Sequence, residues 1–383
     1  MGPMTMVSGV LYDPEAAAST AELYESYRIL RDEHPVYEDP DGRFVALTRF
    51  ADVAGAASDA ATYSSEITAN TTLVHPILAQ LDPPRHTAMR RVILRAFTTS
   101  RVVEREAEIR AIAVGLLDRV VDADGFDLLG EFAALLPSIV MGRLIGIPDE
   151  LVPTCRDISD LHMRRISQRD ALVPMRMSDD LFRPLLAARR ASPTDDLLSG
   201  LVTAEVDGRG LTDEELLGFC YLLLIGGNDT TTNWIGNAAV LFARHADVRT
   251  DLVRDPSLLP AALEEALRLE SPTQVLPRRA ACDVTRHGTR IAAGTRVLLV
   301  WGAANRDERE FADPERLDPR RPGARHLAFG QGIHFCLGAA LARMEARVAF
   351  EELFRRMPAY ELVAEPEPVR SSWALGYAHV PIA

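Results

Sequence analysis

The chain has 383 residues, 47% of them apolar, which is enough for a large core and, on length alone, for one to three domains. Its formal charge is −13, and all 42 basic residues are arginine; lysine is absent. A lysine Schiff base is thereby excluded, and any basic docking patch must be built from arginine. An acidic chain without a basic run also argues against nucleic-acid binding.

Residues 20–34 read as an amphipathic helix, with Leu23, Tyr27 and Leu30 on one face before His34-Pro35. Val36-Tyr37 and residues 43–48, separated by Asp39-Pro-Asp-Gly42, read as a β-hairpin. Residues 58–82 read as a polar, irregular stretch. From Pro83 the pattern is helical almost to residue 270, with breaks near 122–125, 146–148, 192–193 and 207–210.

Residues 211–244 form the longest helical pattern. Thr212 with Glu215 makes a capping box, and Asp213 and Glu214 suit the positive helix end. Leu216, Phe219, Leu223 and Gly227 follow one face. The centre of this helix is polar and glycine-weakened, at about 1 kcal/mol per glycine against alanine, which points to function. Strand-like stretches follow at 289–291 and 295–300, then an irregular segment over 302–328. Short strands are expected around 360–363 and 373–382. The sequence shows no Gly/Ser linker and no repeat, so a single domain over 1–383, mainly α with a small β portion, is expected.

Cys155, Cys220, Cys282 and Cys336 are far apart and lack CxxC spacing, so neither a zinc knuckle nor a disulfide framework is suggested. Residues 1–12 carry no basic region and no long apolar stretch, so no secretory leader is expected. No apolar run approaches the roughly 18–20 residues that span a bilayer. A soluble, cytoplasmic protein in a reducing compartment is expected, which keeps cysteine available as a ligand.

Cys336 is the exception among the four. It lies in Phe329-Gly-Gln-Gly-Ile-His-Phe-Cys336-Leu-Gly338, a glycine-punctuated loop followed at once by an alanine-rich helical stretch. That arrangement suits one anionic sulfur presented to a metal whose other ligands come from elsewhere, as in haem. The loop FGQGIHFCLG resembles the haem-binding signature of the cytochrome P-450 family, FGxGxHxCxG, at every fixed position. Glu265-Ala-Leu-Arg268 resembles the family's ExxR pair. Pro314-Glu-Arg316-Leu317 resembles its Pro-x-Arg-Phe stretch, with leucine replacing phenylalanine. Gly226-Gly227-Asn228-Asp229-Thr230-Thr231 resembles its oxygen-activation stretch [AG]-G-x-[DE]-T-[TS]. His86 and Arg90 match its HxxxR near a helix start, on one face at a spacing of four.

The resemblance implies a cytochrome P-450 fold, with heme b between the long central helix and the cysteine-loop helix. Cys336 would be the axial ligand to the haem iron. His86, Arg90, Arg278 and His334 would meet the propionates, with Arg279 the alternative to Arg278. Phe329, Gly226 and Gly338 would pack on the cofactor. Glu265, Arg268 and Arg316 would form a structural triad. Asp229 and Thr230 would be catalytic: the Thr230 hydroxyl, four residues after Gly226, could take up its carbonyl and open the helix, while Asp229 relays protons.

The implied substrate pocket is lined by Ile67, Leu73, Val74, Ile77, Leu78, Val275, Leu276 and Leu375, mostly apolar, for a lipophilic molecule. An arginine-rich segment, His162 to Met177, would be a solvated lid or an attractor of acidic substrate groups. The implied activity is mono-oxygenation by dioxygen, in secondary metabolism or in xenobiotic or terpenoid oxidation. Without a flavin or iron–sulfur motif, electrons from NAD(P)H would arrive through a separate ferredoxin and ferredoxin reductase. Arg91, Arg95, Arg343 and Arg347 are candidates for that docking face of an expected monomer. A peroxide-driven haem-thiolate enzyme and a non-catalytic haem-thiolate sensor are the alternatives; neither has the same need of Asp229 and Thr230.

Overall fold

A computed structural model of the chain describes residues 12–14, 20–66, 75–164, 172–323, 325–369 and 371–383, the side chain of Arg95 apart. The helix Thr20–Glu33 and the antiparallel strands Val36–Glu38 and Val45–Leu47 stand where the sequence pattern puts them. The hairpin is one edge of a five-stranded sheet. Val45–Leu47 runs parallel to Arg296–Val300, which pairs antiparallel with Val275–Ala280, and Tyr63–Ser64 closes the other edge. Alternation along Arg296–Val300 explains why the sheet is buried on both faces. Val297 and Leu299 join Phe50, Val53 and Trp301, while Leu298 and Val300 join Tyr12, Tyr27 and Leu30.

Some elements depart from the sequence expectation. Helix Phe50–Ser58 falls on residues given no element by the pattern, strand Tyr63–Ser64 lies inside the first stretch taken as irregular, and helix Trp301–Ala304 runs into the second. All three are short and hold their shape through long-range contacts. The Phe50 amide, for example, donates to the Asp307 carboxylate at 2.8 Å.

The central helix, Asp213–Arg244, is 32 residues long, about 48 Å at 1.5 Å per residue. It starts at the expected capping box of Thr212 and Glu215. It packs against Leu135–Ile145, Val152–Met163, Leu172–Ala191, Leu259–Leu269 and Ala339–Arg356. Part of its polar character is structural. The Asn228 amide donates to Ser159 Oγ at 3.3 Å, and that of Asn237 to the Glu270 carbonyl at 3.0 Å. Among the described residues no helix is long and apolar enough to cross a membrane.

Candidate haem site

The loop carrying Cys336 gets its shape from its glycines and its neighbours. Gly330 and Gly332 adopt φ of +72° and +71°, a region that costs other residues roughly 1–2 kcal/mol. At Gly332 a side chain is also blocked, because a Cβ would stand 2.6 Å from the Ala57 carbonyl oxygen. The Cys336 amide donates to the Phe329 carbonyl at 2.8 Å and closes the turn. Burial pushes the Cys336 thiol up; the amides of Gly338 and Ala339 and the charges of Arg90 and Arg343 act the other way, favouring thiolate. Cys155 and Cys220 have a backbone hydrogen bond each but no arginine charge beside them, and burial pushes both thiols up, Cys155 to about 12. Among the described residues no three His, Cys, Asp or Glu side chains group to hold a metal, so Cys336 offers a single sulfur.

A cavity of about 300 Å³ lies between the Cys336 loop and the central helix. Cys336, Gly338, Leu341 and Ala342 form one wall, and Gly226, Gly227 and Thr230 the facing one. A Cβ added at Gly226 or at Gly338 would meet no protein atom within 4 Å. Both glycines leave room for a ligand. Gly227 serves packing instead, since its Cβ would press on Met141 at 2.6 Å.

Above the slot, Thr230 Oγ1 donates to the Gly226 carbonyl at 2.9 Å. The hydroxyl therefore competes for a carbonyl of the helix's own ladder, as the sequence spacing anticipates. Asp229 beside it is buried.

One corner of the cavity is lined by Arg90, Arg278 and His334. His86 adjoins it, with its ring centroid 4.4 Å from that of His334. Both His86 ring nitrogens are buried without a hydrogen-bond partner. Burial, the Arg278 charge and His86 push His334 down to about 3. Burial lowers Arg278 to about 10 and also lowers Arg90 and His86. The acid of this corner, Asp82, already accepts from Ser64 Oγ at 2.5 Å and the Ser65 amide at 2.9 Å. Arg90 also donates to the Phe335 carbonyl at 2.6 Å, Arg278 to the Pro277 carbonyl at 2.9 Å, and His334 Nε2 pairs with Ser65 Oγ at 2.9 Å. The further guanidinium N–H groups and the two His86 nitrogens leave the corner suited to added anionic oxygens. Arg278 faces the cavity, whereas Arg279 Nε donates to the Glu66 carbonyl at 3.2 Å. A flat ligand with an iron and two carboxylates, as in haem, matches the single sulfur, the two open glycine positions and this corner.

The ExxR pair is an ion pair. Arg268 Nε and Nη2 donate to the two oxygens of Glu265 at 2.8 Å each. The third member differs from the sequence expectation: Arg321, not Arg316, reaches Glu265, with Nε at 2.8 Å from Oε1. The turn at 313–316 presents carbonyls inward, those of Pro314 and Arg316 accepting from Arg268 at 2.7 and 3.3 Å. The Arg316 residue is left exposed.

Of the expected substrate contacts, Leu78 and Leu276 line the cavity. Ile77 and Val275 instead pack into hydrophobic clusters. Leu375 is absent from the cavity wall; its amide donates to the Pro272 carbonyl at 2.8 Å, and its carbonyl accepts from Asn237 at 3.3 Å. Ile67, Leu73 and Val74 lie outside the described residues, as do residues 165–171 of the arginine-rich segment. Missed by the sequence reading were Leu222, Thr273, Trp301 and Glu345. Counting back from Thr230 and Gly226 at helical spacing finds Leu222, Leu223 and Phe219; nothing local marks the others. On the outer face, Arg343 and Arg347 are held by Glu264 and by Glu106 and Glu351. Arg91 is exposed, and the side chain of Arg95 is outside the description.

The family model for "Cytochrome P450" matches residues 143–367. A steroid C26-monooxygenase of Mycobacterium tuberculosis is 35% identical over 380 residues, covering 95% of this chain and 94% of that protein. Cytochrome P450 107B1 of Saccharopolyspora erythraea is 39% identical over 299 residues, covering 77% and 73%. The crystal structure of CYP109E1 from Bacillus megaterium in complex with testosterone superposes with a TM-score of 0.89 at 32% identity, over 94% of this chain and 97% of that one. A mutant of P450 EryK in complex with erythromycin B gives 0.86 at 34% identity, over 94% and 96%. Fold, signature loop and likeness along nearly the full chain agree: this chain belongs to the cytochrome P450 family, haem-dependent monooxygenases that use dioxygen.

Proposed function

We propose that the chain mono-oxygenates a lipophilic small molecule, with haem held by Cys336 and electrons delivered by a separate ferredoxin system. The observation that carries the haem reading is the slot itself: a lone sulfur approached by the Gly338 and Ala339 amides and the Arg90 and Arg343 charges, open space at Gly226 and Gly338, and a donor-rich corner. Bound haem supplies an iron centre at which dioxygen is bound and reduced. The protein's own residues do the rest. Arg90, Arg278, His86 and His334 hold the carboxylates. Thr230, by donating to the Gly226 carbonyl, would weaken the helix ladder there and make room for oxygen and water. Asp229 feeds protons towards the Thr230 hydroxyl. A peroxide-driven enzyme needs less proton delivery, so the acid–alcohol pair favours the dioxygen route.

The cavity wall away from the sulfur supports a lipophilic substrate. Leu78, Phe219, Leu222, Leu223 and Leu276 are apolar, and Thr273 adds one hydroxyl. A relative named as a steroid C26-monooxygenase and neighbours in complex with testosterone or erythromycin B support polycyclic and macrocyclic lipophiles as candidates to try.

The test is a panel of such lipophiles titrated into the haem-loaded protein, read by the shift of the haem absorption band and followed by product analysis with a ferredoxin and its reductase. Oxygenated product carrying one atom from labelled dioxygen is expected. A Cys336→Ser protein that kept the reduced-CO band of thiolate-ligated haem would refute the ligand assignment. Product formed from peroxide but never from dioxygen and electrons would refute the route.

A further inference from the structure

Trp301 opens the short helix Trp301–Ala304, directly after the strand Arg296–Val300. The side chain is 3% exposed and packs in the cluster containing Phe50, Val53 and Leu327. Its indole N–H is nonetheless buried without an acceptor. A buried donor left unmade is costly in a folded protein, which argues for a partner supplied from outside the chain.

Trp301 also lines the slot, together with Arg90, Arg278 and His334. The strand register explains how. Val300 pairs with Val275 and Leu299 with Leu276, and the Gly302 amide donates to the Gln274 carbonyl at 3.1 Å. Arg278 pairs with Val297, so Arg278, Leu276 and Trp301 face the same side of the sheet. An indole N–H only donates. The groups around it are the Arg90 and Arg278 side chains and the His86 imidazole, whose two ring nitrogens have no partner, and Asp82 is already engaged by Ser64 and Ser65. What would satisfy all of them is an anionic acceptor with several oxygens.

We propose that the Trp301 N–H is a further hydrogen-bond donor to a carboxylate of the bound haem. The inference rests on the reading above that the slot holds haem, and it concerns cofactor retention rather than the oxidation chemistry. Trp301 is a positioning residue, remote in role from Asp229 and Thr230.

The test compares the parent with Trp301→Phe, which keeps an aromatic body and lacks the donor, and with Trp301→His, which restores an N–H. Each is loaded with haem and, separately, with haem whose two carboxylates are methyl-esterified. Release into excess apomyoglobin is followed by absorbance, and urea midpoints are recorded on the same samples. With ordinary haem, Trp301→Phe should release roughly 10- to 100-fold faster than the parent, the range for one bond to a charged acceptor. Trp301→His should recover part of the loss, and the reduced-CO band should keep its position because Cys336 is untouched. With the diester the Phe penalty should largely vanish.

Equal release rates for parent and Trp301→Phe would overturn the proposal. So would a penalty of the same size with the diester, which would assign the effect to packing. A parent that binds haem through Cys336 yet gives either result refutes Trp301 alone, whereas a parent that binds no haem overturns both readings.

Discussion

The replacement of Arg316 by Arg321 as the partner of Glu265 makes a sharp mutational contrast. Glu265 is 1% exposed and Arg268 is fully buried. Burial pushes the Glu265 carboxyl up, but the bonds to Arg268 and Arg321 outweigh it and hold it below the usual carboxylate range. Arg321 gives Glu265 one charge-assisted bond, and its two Nη groups serve the carbonyls of Ala312, Asp313 and Arg316. A hydrogen bond to a charged group contributes about 1.5–3 kcal/mol, and leaving the buried Glu265 carboxylate short of a partner adds to the loss. Arg321→Ala should therefore destabilise by about 3 kcal/mol, and Arg316→Ala by no more than about 0.5 kcal/mol, the usual effect of an exposed site.

Urea unfolding midpoints of the haem-loaded proteins at neutral pH provide the measurement. The pH dependence adds a second arm. The Glu265 carboxyl lies lower in the folded state than in the unfolded one, so its contribution is full above the unfolded value of about 4.3 and is lost as pH falls through the folded value. The gap between parent and Arg321→Ala should narrow on acidification. An Arg316→Ala penalty equal to or above that of Arg321→Ala would refute the assignment.

Three further outcomes follow from the same geometry. Thr230→Ala and Asp229→Asn should each cut product formation about a hundredfold or more, the scale of lost proton delivery, while the haem spectrum is retained; undiminished product in both would sink the relay. Gly332→Ala must adopt φ +71° and meet the Ala57 carbonyl at 2.6 Å, so it should cost at least about 2 kcal/mol and weaken haem uptake; a stable, fully loaded protein would contradict this. Glu345 is buried, its Oε2 has no partner, and burial alone raises its carboxyl well above the usual range. The folded state then holds a proton that the unfolded state releases above about pH 4.3, so this acid costs up to about 1.4 kcal/mol per pH unit as pH rises toward the folded value. Glu345→Gln should gain stability relative to the parent as pH rises above the unfolded value of about 4.3, and a difference that stays constant from about pH 4 upward would show that the acid is not buried as a neutral group.

The parts of this site that were legible in the sequence are those whose chemistry is local. The Cys336 turn needs glycines within six residues, the capping box needs Thr212 and Glu215 three apart, and Thr230 finds the Gly226 carbonyl because both lie on adjacent helix turns. Each is set by the geometry of a few consecutive residues. What escaped depends on partners far along the chain. Arg321 displaces Arg316 because a turn at 313–316 directs carbonyls, not a side chain, onto Arg268. Val275 is drawn into the sheet core beside Tyr12 and Tyr27, while Leu276, one residue on and facing the other way, lines the slot. A strand's alternation predicts that such neighbours part company, but which of the two meets the ligand depends on which face of the sheet the cysteine loop covers. Trp301 and Glu345 follow the same logic. In sequence Trp301 looks like a core residue and Glu345 like a solvent-facing one, and only the placement of distant strands and helices shows that each lines a space the chain itself does not fill.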